Sequence, residues 1–284
     1  MTRRLALVCA LLGAACRIND IDVNGKACPC PEDWNCSPVT NTCTKDFVPT
    51  DGSRPDIGDT KVSSYRQAVV DDLPLAYWRF DDLDKIANDE MGHFPGTYTD
   101  SCTKGIPGAL VGDPSTAVNF DGTSCHIVLP AGLGFTGTLP YTVEAWIQEP
   151  LAVSGFRVIF SKTKRAAGPI DGYDLADSAT GVYFERAVAG TAPTTPHLSH
   201  PFGSYVHLVG VYDGAQIVMY INDVVGSAVA DVRPMPVVDA IPLIGADSAG
   251  DYFKGAIDEI AIYDHVLAPE RVKLHYNLAT TGSP

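Results

Sequence analysis

Basic residues are scarce in this sequence. Its 284 residues include 20 Lys and Arg but 34 Asp and Glu, which gives a net charge of −14 at pH 7. Proteins bind nucleic-acid phosphates mainly through Lys and Arg, so this balance argues against nucleic acid as a partner. The acidity fits a soluble, exported protein, in which it serves mainly solubility.

The N-terminal apolar run is too short to span a bilayer. This run, Leu5–Leu12, follows two arginines and precedes small residues, so we predict that residues 1–15 are an export signal peptide. Cys16 follows directly, as in bacterial lipoprotein signals, in which that Cys is lipidated. Gly13 stands where such signals usually have a large aliphatic residue, so plain secretion is the alternative. The predicted location is the outer membrane or cell surface, as a lipoprotein attached only by its lipid anchor, or the secreted fraction.

Common catalytic motifs are absent. The sequence has neither a Gly-x-Ser-x-Gly nucleophile elbow nor a His-Glu-x-x-His metal motif. His197 and His200 lie in a Pro-rich loop, and two histidines alone are a weak signal for metal binding. We therefore predict that the protein is not an enzyme.

Four of the eight cysteines are clustered near the N-terminus. In an exported protein, four close cysteines predict two disulfides, with three possible pairings. A zinc site is the alternative, but neighbouring zinc cysteines usually have at least two residues between them, and the first two here have one. Residues 16–43 are therefore predicted to be a disulfide-bonded stalk built on Cys28, Cys30, Cys36 and Cys43.

Two further cysteines, Cys102 and Cys125, stand alone downstream. We predict that they form a third disulfide, which closes a loop of about two dozen residues and stabilises the fold by about 3 kcal/mol. Two unpaired thiols are the alternative. Between the stalk and this region, residues 44–62 are rich in Pro, Gly, Asp and Thr and are predicted to be a flexible linker.

Residues 63–284 have the pattern of an all-β domain. Short alternating runs follow one another between Gly and Asp turns, and Tyr141–Gln148 alternates most clearly. No helical periods separate the strands, which argues against an α/β fold. We predict an antiparallel jelly-roll β-sandwich with short helices starting at Ser64 and Pro269.

The segment Gly255–Leu267 contains the predicted last strand. By alternation, Ile257, Ala261 and Tyr263 face one side, and Ile260 and Ile262 face the other. Both faces are apolar, so the strand is predicted to be covered on both sides. Asp258 would then be buried, which is costly unless the carboxylate is paired, hydrogen-bonded or bound to a metal.

Several blocks of sequence, in order, resemble the laminin-G-like, concanavalin A-like jelly-roll family. This fold hosts lectins, glycosidases and adhesion modules, so the resemblance reaches the fold and not the ligand. The blocks are Tyr77–Asp81, Gly96–Tyr98, Gly105–Leu110, Val118–Gly122, Tyr141–Ile147, His207–Gly214, Tyr220–Asn222 and Phe253–Tyr263.

The resemblance also implies a structural Ca²⁺, since many such sandwiches hold calcium with Asp side chains and loop carbonyls. Asp89 and Asp258 are the best pair by resemblance, and Asp247 and Asp251 precede the same last strand. The alternative is that Asp258 accepts backbone N–H groups and that the other carboxylates are solvated.

Retaining glycosidases with this sandwich carry paired carboxylates on one strand face. The Glu-x-Asp-x-x-Glu arrangement that these enzymes use is absent here. A divergent glycoside hydrolase is therefore the third functional hypothesis, behind two non-catalytic ones.

Carbohydrate binding is the first hypothesis, with a glycan as partner. Sugar sites on such sandwiches combine aromatic faces with a few polar groups. The candidate aromatic residues are Trp146, Tyr173, Tyr183 and Tyr252. The second hypothesis is a module for protein–protein adhesion, or a structural envelope protein, with an extracellular or envelope protein as partner.

Overall fold

The structure is a computed structural model, in which residues 35–37, 42–44, 64–151, 155–165 and 170–282 are described. The chain forms two units, residues 1–60 and 61–284. In the first unit, β1 (Asn35–Ser37) pairs antiparallel with β2 (Thr42–Thr44). The predicted signal peptide, Cys16, the side chains of the stalk cysteines and the linker after residue 44 lie outside the described residues.

The regular elements of the second unit are strands and two helices, α1 (Ser64–Asp71) before the first of these strands and α2 (Pro269–Thr281) after the last. The helices begin where the sequence predicts them, although Ala268 gives α2 no side-chain cap. The strands are β3 (Ala76–Trp78), β4 (Ile86–Ala87), β5 (Gly96–Tyr98), β6 (Thr103–Pro107), β7 (Thr116–Asp121), β8 (Ile127–Val128), β9 (Tyr141–Gln148), β10 (Phe156–Lys164), β11 (Asp171–Ser178), β12 (Gly181–Ala187), β13 (Val206–Tyr212), β14 (Gln216–Ile221), β15 (Val224–Val225), β16 (Val229–Ala230), β17 (Leu243–Ile244) and β18 (Lys254–Tyr263).

These strands form two antiparallel sheets, which confirms the predicted jelly-roll sandwich. The seven-stranded sheet has the order β12-β11-β10-β17-β8-β5-β4. The nine-stranded sheet has the order β15-β14-β13-β9-β18-β7-β6, with β16 beside β14 and β3 beside β18. The main core lies between the sheets and contains large side chains from both, among them Trp78, Phe120, Phe160 and Phe184.

The two helices cover part of the outer face of the nine-stranded sheet. In β9, Tyr141, Val143 and Ile147 face the other sheet, as the alternation predicts. Trp146, on the opposite face, is packed in a second core together with residues of α1 and α2. Glu144 of β9 is therefore buried against both helices and not in solvent.

Strand β18 departs from simple alternation. Its pairing with β9 shifts between Asp258 and Ala261, and Glu259 has a φ of 49°, so the strand contains a bulge. The extra residue shifts the inward and outward positions that follow it by one. Ile257 therefore faces the inter-sheet core together with Ile260 and Ile262. The predicted grouping of Ile257 with Ala261 and Tyr263 is therefore wrong, because the alternation assumed an unbroken strand.

The predicted disulfide between Cys102 and Cys125 is present. It joins the turn before β6 to the segment between β7 and β8. No helix among the described residues is long and apolar enough to cross a membrane.

Candidate functional site

A cluster of charged side chains lies on the outer face of the seven-stranded sheet, on β10–β12. In β11, Tyr173 and Leu175 point into the core, so Asp174 between them points outward. Asp174 is paired in register with Glu185 of β12, which lies next to the core residue Phe184. The two carboxylates therefore share one face of the sheet.

Arg165, directly after β10, joins this pair to a third carboxylate. Its Nη2 lies 2.5 Å from Asp174 Oδ2 and 2.7 Å from Glu185 Oε1. Its Nε lies 2.9 Å from Oδ2 of Asp247, in the segment before β18. One guanidinium thus holds together carboxylates from three parts of the chain.

The electrostatics of this cluster favour a retained proton. Burial raises the pKa of Asp174 to about 8, and the neighbouring Glu185 contributes in the same direction. Burial also raises the pKa of Glu185. Three carboxylates around one cation leave excess negative charge, and at pH 7 a proton shared by the pair relieves it.

Aromatic side chains adjoin the charged cluster. The Arg165 guanidinium lies 4.8 Å from the centre of the Phe156 ring, a cation–π arrangement. The Phe156 and Tyr183 ring centres are 5.9 Å apart, and His197 stacks on Tyr183 at 4.3 Å. Phe156 is partly exposed and His197 is exposed, so the aromatic group reaches solvent.

Tyr252 extends the same surface beyond β10. Its backbone forms a bridge with Val158, and Asp251 accepts the Val158 N–H through its carbonyl oxygen. The Tyr252 ring is partly exposed and lies 5.7 Å from His126. We call this surface the outer-face site and define it as Phe156, Arg165, Asp174, Tyr183, Glu185, His197, Asp247 and Tyr252.

Of the predicted sugar-binding aromatics, Tyr252 is partly exposed in this site, Tyr183 belongs to it but is only 5% exposed, and two lie elsewhere. Trp146 is 2% exposed, and its Nε1 donates to the hydroxyl of Tyr65 on α1 at 3.0 Å. Tyr173 is also 2% exposed, within the inter-sheet core, and donates to the Leu133 carbonyl at 2.7 Å. Both predictions are wrong because these rings are covered and offer no face to a ligand.

The predicted calcium ligand Asp89 is already saturated by its own loop. One of its oxygens accepts the N–H groups of Tyr77 and Met91, and the other accepts those of His93 and Phe94, at 2.8–3.0 Å. A carboxylate with four such donors does not fit a calcium ligand, because both oxygens face N–H groups.

The partner proposed for it, Asp258, is fully buried. Its oxygens accept the N–H groups of Ala109 at 2.7 Å and Glu259 at 2.9 Å, and burial raises its pKa to about 8. Within the described residues, no hydrogen bond joins it to Asp89. Asp247 belongs instead with Arg165, as described above. A calcium ion shared by these aspartates remains a prediction that the geometry does not favour.

Sequence reasoning missed Phe156, Arg165, Asp174 and Glu185, and it considered His197 only as a weak candidate for metal binding. A signal for two of them exists, because Asp174 and Glu185 occupy outward positions next to large apolar residues of their strands. Their contact depends on strand register and on a residue after β10, and neither follows from local pattern.

A separate groove lies on the nine-stranded sheet. It has a volume of about 320 Å³ and lies between the β13–β15 region and the segment before α2. Its lining is mostly apolar and comprises Val211, Asp213, Gln216, Val218, Tyr220, Val225, Gly226, Ala228, Val266, Leu267 and Pro269.

These features define a concanavalin A-like domain, and comparison with known families agrees. A sequence model of the laminin G group in the concanavalin A-like lectin/glucanases superfamily matches residues 121–273. The chain belongs to this superfamily. No curated protein matches the chain.

Solved structures with the same fold include domain 4 of AbnA, a GH43 extracellular arabinanase from Geobacillus stearothermophilus, in complex with arabinotriose. It is 23% identical, with a TM-score of 0.56, and the match covers 71% of this chain and 97% of that domain. The botulinum neurotoxin serotype D binding domain is 13% identical, with a TM-score of 0.55 and coverage of 74% and 52%. Trypanosoma rangeli sialidase is 11% identical, with a TM-score of 0.53 and coverage of 73% and 33%.

Proposed function

We propose that the chain is a non-catalytic carbohydrate-binding module whose ligand occupies the outer-face site. The observation that carries this proposal is the contact of Arg165 with both the Phe156 ring and the carboxylates of Asp174 and Glu185. Sugar rings have apolar C–H faces that pack on aromatic rings, and hydroxyl groups that bond to charged side chains. The part of the site that a sugar can reach comprises the partly exposed Arg165, Phe156 and Tyr252 and the exposed His197, with the buried carboxylates behind Arg165.

The rigidity of the site supports a binding role. Its charged groups are held by one another on adjacent strands, so a ligand does not have to order them. Tyr183 is fixed between Phe156 and His197 in the same way. A preorganised surface of this kind reduces the entropy lost when a sugar binds.

The similar structures support the proposal at the level of the fold. The arabinanase domain is described in complex with arabinotriose, and the neurotoxin structure is described as a binding domain. We therefore include arabino-oligosaccharides among the first ligands to be tested, and treat the sugar itself as open.

A screen of the full chain on a glycan array, followed by affinity electrophoresis in gels containing the polysaccharides that score, tests this function. We expect saturable binding that free oligosaccharide inhibits. An adhesion module would bind a protein partner without inhibition by sugar, and a structural envelope protein would show no saturable ligand. Either of the last two results contradicts the proposal.

A glycoside hydrolase is the second candidate, and one observation favours it. Asp174 and Glu185 contact the same Arg165 nitrogen, so two carboxyl groups lie side by side, and retaining glycosidases use a pair of carboxyl groups. Release of reducing ends from a bound polysaccharide, abolished in Glu185→Gln, would make the protein an enzyme. Under our proposal no reducing ends are released and Glu185→Gln changes only affinity.

We also propose that the module is displayed outside the cell on the predicted stalk. Cys16→Ser tests the lipid anchor by membrane fractionation of the producing bacterium. If Cys16 is lipidated, this variant moves from the membrane to the soluble fraction. An unchanged soluble location of both forms would favour plain secretion.

A further inference from the structure

A second cluster of ionisable groups lies where the two sheets meet. Glu149 directly follows β9 of the nine-stranded sheet, Asp177 belongs to β11 of the seven-stranded sheet, and His200 lies between β12 and β13. One ligand atom from each side chain lies within 4.8 Å of those of the other two. His200 Nε2 is 3.3 Å from Glu149 Oε2 and 3.7 Å from Asp177 Oδ1.

This cluster is buried and incompletely satisfied. The side chains of Glu149, Asp177 and His200 are 0%, 2% and 2% exposed. Among the described residues, neither carboxylate oxygen of Glu149 has a hydrogen-bond partner, and nor does Oδ1 of Asp177. Buried carboxylate oxygens without partners are costly, so a group that satisfies them is expected at their centre.

The orientation of His200 points to the nature of that group. Its Nδ1 lies 3.1 Å from the carbonyl oxygen of Pro201, which can only accept, so Nδ1 carries a proton. In the neutral ring, Nε2 then directs its lone pair toward the two carboxylates. A backbone carbonyl that fixes the tautomer in this way is the usual outer-sphere support of a metal-binding histidine.

We propose that Glu149, Asp177 and His200 form a binding site for a divalent transition metal, with Zn²⁺ as the best-fitting ion. Zinc takes His nitrogen and carboxylate oxygen at about 2.0–2.2 Å, so the ligand atoms of a tetrahedral site lie about 3.4 Å apart, close to the separations seen here. Calcium prefers oxygen ligands only, and the histidine disfavours it. A fourth ligand is left for water.

The metal would cross-link the two sheets. It would join the end of β9 to β11 and would hold the segment that carries His200, three residues after His197 of the outer-face site. This role is structural and does not depend on whether the outer-face site binds sugar. The same residues without a metal would form an ion triad around a protonated imidazole, which is the competing account.

Thermal unfolding of the full chain tests the site after bound metal has been removed with a chelator. We expect Zn²⁺ at about a hundredfold excess over its Kd to raise the midpoint by roughly 5–10 °C. His200→Gln and Glu149→Gln are expected to lose this rise. His197→Gln, which changes an exposed histidine in the same segment, is the matched control and should keep it.

Cobalt substitution provides a readout that does not require the variants to be stable. Co²⁺ bound to the wild-type chain is expected to show visible d–d bands of a nitrogen–oxygen site without thiolate charge-transfer bands, and Zn²⁺ should abolish them. Binding through the N-terminal cysteines would instead give thiolate bands and would persist in His200→Gln. That outcome, or an unchanged midpoint with no cobalt spectrum, overturns the proposal in favour of the ion triad.

Discussion

His275 of α2 and Glu144 of β9 form a fully buried pair. His275 Nδ1 lies 3.0 Å from Glu144 Oε1, and both side chains are 0% exposed. Glu144 also accepts from the Tyr263 hydroxyl at 2.6 Å and lies 2.7 Å from His207 Nε2. One carboxylate on the central strand therefore joins the nine-stranded sheet to the last helix.

Glu144→Gln is expected to destabilise the domain by about 3–5 kcal/mol, because it removes one of the two carboxylates that face the buried His275. Urea unfolding followed by circular dichroism measures this loss. Glu270→Gln, which changes an exposed residue of α2, is the control and should stay within about 0.5 kcal/mol of wild type. A loss below about 1 kcal/mol for Glu144→Gln would contradict the assigned role.

The same pair predicts a dependence of stability on pH. Burial alone would lower the pKa of His275, but the charges of Glu144 and Asp72 outweigh it and raise the pKa to about 9. Because an unfolded histidine titrates near pH 6.5, the contribution of the pair is complete below about pH 6.5 and is lost as the pH rises through about 9.

We expect the stability difference between wild type and His275→Gln to shrink by about 2–3 kcal/mol across this window. Unfolding free energies measured from about pH 6 to about pH 10 give the two curves. Parallel curves would show that the pKa of His275 is the same in the folded and the unfolded protein, which would contradict its pairing with Glu144.

Asp89 is expected to stabilise its loop through hydrogen bonds to backbone N–H groups, without calcium. Asp89→Asn replaces one carboxylate oxygen by an NH₂ group that faces N–H donors. We expect the free energy of unfolding to fall by about 2–3 kcal/mol. The loss should be equal in Ca²⁺ and in chelator. A calcium-dependent rise in the wild-type midpoint that Asp89→Asn abolishes would instead support the calcium site predicted from the family resemblance.

Gly108 is expected to tolerate no side chain. A Cβ at this position would lie 2.6 Å from the Ser115 carbonyl oxygen and 2.9 Å from Asp258 Oδ2. Gly108→Ala therefore pushes the backbone at Gly108 away from the Ser115 carbonyl and the buried Asp258 carboxylate. We expect the free energy of unfolding to fall by about 1–3 kcal/mol. Gly112→Ala is a useful comparison, since its Cβ meets no atom within 4 Å and only its φ of 75° opposes the change. Equal losses in both variants would mean that crowding at Gly108 is not the cause.

The local sequence pattern was enough to predict the fold, because strand alternation and turn residues are recognisable within a few residues of sequence. The alternation of Tyr141–Gln148 correctly assigned its inner face, and Pro269 correctly marked the start of α2. The bulge at Glu259 could not be read from the apolar pattern, because one extra residue in a strand leaves both faces apolar.

The candidate site was harder to predict from the sequence, because it depends on contacts between residues that are far apart in the sequence. Trp146 shares its face with the charged Glu144 and so resembles a surface residue, yet two helices from opposite ends of the domain cover it. Arg165 and Asp247 are far apart in sequence and meet only because their segments lie beside β10. Tyr183 and Tyr252 stay predictions as sugar-binding residues, and of the two only Tyr252 is partly exposed.

The most direct test of the account is the affinity of a glycan identified by the array for Tyr252→Ala, measured by isothermal titration calorimetry. Tyr252 is partly exposed at the outer-face site, and Tyr205→Ala, which changes a tyrosine that bonds to the Pro107 carbonyl, is the control. The account predicts at least about a tenfold weaker affinity for Tyr252→Ala and an unchanged affinity for Tyr205→Ala, with both variants folded. Equal affinity in both variants and in wild type would place the sugar elsewhere and contradict the proposed site.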